Sequence, residues 1–242
     1  MTPRHARLAR LALLPALALA AGFPLIAGGS LPAAAQEGGA AGEKPAAEAP
    51  AAEKKGVVYH FGVTEQRTNI LFESETTVET IHGITHSVKG KGTFDFDAGT
   101  GEADLVVPVN SLKTGMEARD GHMYGEDWLD AAKYPEIVLK AKSLKRVKVL
   151  DEKAMKETWA YEGTLTIKGK SNDVKGEALV QRIPEELGKK LGRGQWLKVK
   201  AEFSITIKDY GIEVPAASAA KVSDVWDIKI DLFATTAEPA AK

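Results

Sequence analysis

The most chemically varied interval of the sequence is TGMEARDGHMYGEDWLDAAKYPEI, residues 114–137, which carries an arginine, a histidine, carboxylates and aromatic side chains. Arg119, Asp120 and His122 stand together near its centre. A histidine beside a carboxylate is a general-base arrangement. The same side chains can also tie a loop crossing to a sheet through charge-assisted hydrogen bonds. No nucleophile or metal-ligand set accompanies them in the sequence, so we favour a structural or pocket-rim role for all three and predict no catalytic residue.

Other catalytic and metal-binding patterns are weak in this sequence. TIKGKS at 166–171 lacks the first glycine of a phosphate-binding loop, because position 164 is Thr164. There is no G-x-S-x-G, no H-E-x-x-H and no cysteine. His82 and His86 fall in a predicted strand, where residues four apart lie about 13 Å apart. We therefore predict no metal and no cofactor, and the sequence leaves open whether His60 and His122 converge with this pair.

The first 55 residues have the composition of targeting and linker segments. Residues 1–35 combine three arginines with an apolar run and a small-residue cleavage site ending at Ala35, which predicts a signal peptide and export to the periplasm or medium. Residues 36–55 are rich in Ala, Glu and Pro and predict a disordered tether. Cleavage removes three arginines and no acid, so the formal net charge falls from −1 to −4. This charge argues against a nucleic-acid partner.

From Gly56 the apolar residues alternate with polar ones in short runs separated by turns, which is typical of β-strands. In VWDIKIDLFAT, one face carries Trp226, Ile228, Ile230 and Leu232. About eight such runs predict an all-β domain over residues 56–238, folded as an eight-stranded antiparallel barrel, with a tail at 239–242. A short helical segment is expected near residues 125–133, where Trp128, Leu129 and Ala132 would cap the barrel.

Three motifs together resemble the YceI-like family of lipocalin-like, polyisoprenoid-binding secreted proteins. They are R-D-x-H at 119–122, KYPEI at 133–137 and LTIKG at 165–169, and DYGI at 209–212 resembles a further family landmark. The resemblance covers most of residues 57–237. It implies an extended eight-stranded barrel with an interior tunnel for an isoprenoid chain, a helical segment near R-D-x-H and a periplasmic location. This chain departs from the family pattern at Trp128-Leu129, where many relatives have two phenylalanines.

The resemblance and the apolar strand faces together predict a non-enzymatic carrier of a long apolar lipid, an isoprenoid or isoprenoid quinone. Two alternatives stay open: an enzyme acting on a lipid-like substrate, and a filled barrel that binds protein partners. A membrane contacted during ligand exchange and a second copy of the chain are further candidate partners. Trp128 is expected near an opening of the barrel. The side chains expected to line the interior are Ile70, Phe72, Leu105, Val107, Leu139, Leu165, Ile167, Phe203, Ile205, Ile228 and Ile230.

Overall fold

The structure is a computed structural model that describes residues 56–63 and 67–239. The predicted signal peptide at 1–35 and the predicted tether at 36–55 lie outside the described residues, as do the last three residues of the predicted tail. Within the described ranges, no helix combines the length and the apolar character needed to cross a membrane.

Ten strands and two short α-helices make up the described chain. The strands are β1 Val57–Phe61, β2 Asn69–Glu75, β3 Thr80–Thr85, β4 Lys89–Asp95, β5 Thr100–Pro108, β6 Glu136–Asp151, β7 Lys156–Ile167, β8 Lys170–Ile183, β9 Trp196–Thr206 and β10 Val225–Thr235. The helices are α1 Glu117–Tyr124 and α2 Glu185–Leu191, with 3-10 turns at Val109–Ser111 and Ile207–Tyr210.

All strand pairings are antiparallel and they close into a barrel, which confirms the predicted fold class. The sheet order is β1-β4-β5-β6-β7-β8-β9-β10-β2-β3, and β1 also pairs with β10. Because β1 and β2 pair with successive parts of β10, they act as one interrupted strand. β3 pairs with β2 and β4 pairs with β1, so β3 and β4 likewise act as one interrupted strand. The ten segments therefore occupy eight strand positions around the barrel.

The half of the barrel that holds the N-terminal ends of β1 and β7 is filled by aromatic rings. Tyr59, Phe94, Phe96 and Trp159, here called the aromatic cluster, pack with ring centroids 5.7 to 6.3 Å apart. The indole Nε1 of Trp159 donates a hydrogen bond of 2.8 Å to the buried carboxylate of Glu157. Nη1 of Arg146 lies 3.4 Å from Oε1 of the same carboxylate, so this buried acidic group has both a hydrogen-bond donor and an opposite charge beside it.

The short helix lies earlier in the chain than the sequence predicts, so the helix expected near residues 125–133 is wrong. Residues 125–133 form hydrogen-bonded turns, while the helix spans Glu117–Tyr124 and covers the R-D-x-H residues. Gly125 adopts an extended conformation that ends the helix, and Asp130 has a φ of 49°, which a continuing helix excludes. The buried pair in the turns is Leu129 and Ala131, whereas Ala132, predicted to cap the barrel, is exposed.

Candidate functional site

The half of the barrel away from the aromatic cluster contains an apolar cavity, here called the chamber. Its volume is about 90 Å³, and it is lined only by apolar side chains. The register brings these side chains together, because Leu105, Leu139 and Leu165 lie opposite one another across β5, β6 and β7. The lining residues are Ile70, Phe72, Leu105, Val107, Leu112, Leu129, Ile137, Leu139, Leu165, Ile167, Phe203, Ile205, Ile207, Ile212, Trp226, Ile228 and Ile230.

The chamber contains all eleven side chains that the sequence places on interior strand faces. The alternation holds at these positions because the two register shifts nearest the chamber lie beyond it, at Gly101/Ala103 and Ala141/Ser143. Trp226 and Leu232 also point inward with Ile228 and Ile230, as their shared face predicts. Whether the lining residues contact a ligand stays a prediction.

A second cavity of about 350 Å³, here called the vestibule, adjoins the chamber and shares Phe72 and Trp226 with it. Trp128 lines the vestibule and does not line the chamber, and its place near an opening of the barrel stays a prediction. Polar and charged groups now join the apolar ones. The polar lining residues are Ser74, Glu79, Thr114, Arg119, His122, Ser218 and Lys221.

Two stacked rings mark the boundary between the chamber and the vestibule. The rings of Phe72 and Trp226 lie 4.6 Å apart at an interplanar angle of 14°. The indole Nε1 of Trp226 donates a hydrogen bond of 3.1 Å to the carbonyl oxygen of Ser223, which holds that ring in place. The Phe72 ring lies over Gly83 on the paired strand, where a methyl group would approach it to 1.9 Å. Glycine at position 83 therefore makes the space that the stacked pair uses.

The R-D-x-H residues surround the vestibule but do not form one cluster. Nη2 of Arg119 lies 2.5 Å from Oε1 of Glu79, which links α1 to the β2–β3 turn. The Asp120 carboxylate accepts hydrogen bonds of 2.7 Å from both the amide and the hydroxyl of Thr114. His122 lines the vestibule wall. The structure thus places Arg119 and His122 on the vestibule wall, while Asp120 lies behind that wall and is hydrogen-bonded to Thr114.

Asp120 is 7% exposed, and its surroundings favour the charged form. Burial raises the pKa of this carboxyl group, but the two hydrogen bonds from Thr114 and the charges of Lys113 and Arg119 lower it. The lowering effects prevail, so the pKa of Asp120 lies below its ordinary value of 3.8. A carboxylate held charged by two local donors is suited to anchoring the start of α1.

The histidines that the sequence singles out have separate partners. Nδ1 of His82 lies 3.2 Å from the carboxylate of Glu73, and Nδ1 of His86 lies 2.7 Å from the carbonyl oxygen of Thr68. Over residues 56–63 and 67–239, no three histidine or carboxylate side chains come together as metal ligands. The described residues thus form an apolar chamber beside a partly polar vestibule.

Six lining residues are not in the set predicted to line the interior, although Trp226 was expected to face inward and Leu129 to cap the barrel. Ile137 and Trp226 carry the same alternation as the predicted set and could have been included on that basis. Leu112, Leu129, Ile207 and Ile212 lie outside the strands and have no period-two signal. The same holds for Glu79 and Lys221 of the vestibule, which lie in connections between strands.

Several proteins of known family or structure are similar to this chain. Protein YceI of Escherichia coli O157:H7 is 31% identical over 138 residues, which cover 55% of this chain and 65% of that protein. A UPF0312 protein of Pseudomonas savastanoi pv. phaseolicola is 30% identical over 135 residues, covering 53% of this chain and 62% of the relative. The chain therefore spans somewhat less than two thirds of the length of these relatives.

Solved structures share the fold at lower sequence identity. BcnA of Burkholderia cenocepacia has a TM-score of 0.57 and 20% identity, covering 71% of this chain and 99% of that one. A polyisoprenoid binding domain from Saccharophagus degradans, implicated in plant cell wall breakdown, has a TM-score of 0.54 and 20% identity, covering 75% and 99%. Residues 61–234 match the YceI-like domain, and the chain therefore belongs to the YceI-like family.

Proposed function

We propose that this protein binds an apolar lipid in the chamber without transforming it. The observation that carries the proposal is a cavity lined by seventeen apolar side chains that adjoins a vestibule with charged groups. A compartment of this kind suits an amphiphile, because the apolar part leaves water while the polar part keeps hydrogen-bonding partners. Burying about 400 Å² of apolar ligand surface contributes on the order of 10 kcal/mol, of which association offsets roughly 4 kcal/mol or more.

The ligand class that we propose is an isoprenoid or an isoprenoid quinone. The Saccharophagus degradans domain with the same fold is described as polyisoprenoid binding, which supports this choice. The vestibule supports it as well, since Trp128 supplies a ring on which a quinone-like head group can stack. Arg119 and His122 supply hydrogen-bond donors for oxygen atoms of such a head group.

A binding role accounts for the R-D-x-H residues better than an enzymatic one. The Asp120 carboxylate accepts its hydrogen bonds from Thr114, and the Arg119 guanidinium pairs with Glu79. Both side chains are thus used to hold α1 and its neighbouring turn around the vestibule. This arrangement supports a non-enzymatic carrier.

We place the carrier in the cell envelope, after export through the N-terminal segment. Exchange of an apolar ligand calls for contact with a membrane, and two exposed apolar side chains near the vestibule support such a contact. Val78, adjacent to Glu79, is 68% exposed, and Met116 on the vestibule wall is 53% exposed. Apolar groups of this kind can insert into the boundary between head groups and acyl chains.

The test is to purify the protein from its own host under mild conditions, extract it with organic solvent and identify the co-purified lipid by mass spectrometry. We expect an isoprenoid lipid with the wild-type protein and a reduced amount with Val107→Phe, which adds bulk inside the chamber. Val106→Phe is the matched control, because Val106 is the neighbouring residue on the outer face of the same strand. An empty wild-type extract, together with no uptake of added isoprenoid quinone, contradicts the proposal.

A further inference from the structure

The chamber is short along the barrel. On β10, its lining extends from Trp226, which also borders the vestibule, through Ile228 to Ile230. Four residues of a strand span about 13 Å. The neighbouring strand β2 contributes only Phe72 and Ile70, which pair with Ile228 and Ile230.

Tightly packed side chains close the chamber at its inner end. Leu232, the next inward residue of β10 after Ile230, is completely buried in the core. The Tyr161 ring meets the Phe203 ring edge-on at a centroid distance of 6.4 Å, and Phe203 lines the chamber. Beyond Tyr161 on β7 lies Trp159 of the aromatic cluster, which is also completely buried. A ligand chain that enters from the vestibule therefore meets this floor after about 13 Å.

The volume of the chamber sets a second limit on the buried chain. A water molecule needs about 10 to 15 Å³ of cavity volume, so the 90 Å³ of the chamber accommodates about six to nine groups of that size. An extended chain advances about 1.2 Å per bond, and 13 Å thus corresponds to about eleven bonds. Volume and length together therefore bound the buried chain at about six to twelve main-chain atoms.

We propose that the chamber takes a prenyl amphiphile of two to three isoprene units, or only the terminal units of a longer one. This inference rests on the proposed function and refines its ligand: the apolar tail ends at the Tyr161–Phe203 floor. The remainder of a longer chain lies in the vestibule or in the membrane, where burial inside the barrel adds nothing to its affinity.

A series of prenyl alcohols tests the length limit. Geraniol, farnesol and geranylgeraniol carry two, three and four isoprene units, and binding is followed by tryptophan fluorescence, since Trp226 lines the chamber. Each additional buried methylene strengthens binding about fourfold. We expect farnesol to bind at least about tenfold more tightly than geraniol, and geranylgeraniol to bind within about threefold of farnesol.

Two substitutions move the floor in opposite directions. Ile230→Phe fills the deep end, so farnesol is expected to lose its advantage over geraniol. Phe203→Ala removes a ring at the floor, so geranylgeraniol is expected to bind about tenfold more tightly than farnesol. Lys229→Ala is the control, because Lys229 is exposed on the outer face beside Ile230. Circular dichroism verifies that each variant is folded, and either floor variant alone suffices for the comparison.

The outcomes separate the length limit from the binding function. Affinity that levels off after farnesol, and that changes as described in a folded floor variant, supports the proposal. Affinity that rises by the same factor from farnesol to geranylgeraniol overturns the length limit while leaving lipid binding intact. No binding of any of the three alcohols overturns both the proposed function and the length limit.

Discussion

Gly83 shows how one residue without a side chain shapes the boundary between the chamber and the vestibule. It lies directly opposite Phe72 in the β2–β3 pair, and the Phe72 ring occupies the space that a side chain at position 83 would fill. The ring can then stack on Trp226. Gly83 has no unusual backbone angle, so its requirement is for space and not for conformational freedom.

We expect Gly83→Ala to destabilise the protein, because the added methyl group lies within 2 Å of the Phe72 ring and must displace it from Trp226. Overpacking of this kind costs about 1–3 kcal/mol of unfolding free energy, measured by urea denaturation. Gly121→Ala on α1 is the control, since no atom lies within 4 Å of its added methyl group. It is expected to be neutral or stabilising by up to about 1 kcal/mol. Equal effects of the two substitutions contradict the steric explanation.

The segment that joins β5 to β6 shows how a connecting element becomes the wall of a site. It enters through the 3-10 turn Val109–Ser111, forms α1 and returns through turns that bury Leu129. Lys113 pairs with Ile84 of β3, which attaches the start of the segment to the barrel. Asp120 and Arg119 then hold α1 to Thr114 and to the β2–β3 turn.

If Asp120 anchors α1, then Asp120→Ala lowers the unfolding free energy by about 1–3 kcal/mol, because the half-buried donors of Thr114 lose their acceptor. Glu117→Ala on the same helix is the control, because Glu117 is exposed. Unchanged stability together with loss of a measurable turnover would instead favour an enzymatic role for Asp120.

The same anchor predicts a pH dependence with a definite sign. The pKa of Asp120 is lower in the folded protein than its ordinary value of 3.8. Its contribution is therefore complete above the unfolded-state pKa and is lost as the pH falls through the folded-state pKa. We expect the difference in unfolding free energy between wild type and Asp120→Asn to be constant from pH 7 to about pH 5 and to shrink below about pH 4. A difference that grows on acidification contradicts this assignment.

At the level of the whole molecule, one closed barrel contains a filled half and a hollow half. The filled half carries the aromatic cluster and the Glu157 contact, and the hollow half carries the chamber. With no cysteine in the chain, the packed half and the closed ladder of strands supply the stability. The hollow half can then leave space for a ligand.

Export is a prediction about the whole chain. We expect fractionation of the native host to place the protein in the envelope or the medium, with a mature N-terminus near Gln36. N-terminal sequencing of the purified protein measures the cleavage position. Leu17→Arg interrupts the apolar run and is expected to leave the uncleaved precursor in the cytoplasm. A cytoplasmic wild-type protein that still begins at Met1 contradicts export.

Much of the barrel and of its interior follows from local patterns in the sequence. Alternation predicted the antiparallel barrel and the inward positions of Ile70, Leu105 and Ile228, because successive side chains of a strand point to opposite faces of the sheet. The spacing of apolar residues in 125–133 predicted a helix in the wrong place. Gly125 ends the helix of the structure, and the left-handed backbone of Asp130 excludes a helix that continues through 125–133.

Tertiary packing alone decided the depth and the entrance of the chamber. The floor depends on Tyr161 meeting Phe203, and the boundary with the vestibule depends on Phe72 meeting Trp226. The partners in each pair are far apart in the sequence, so no local pattern reveals that their rings meet. Alternation specifies which side chains face the interior, but the space left between them depends on how rings from distant strands pack across the barrel.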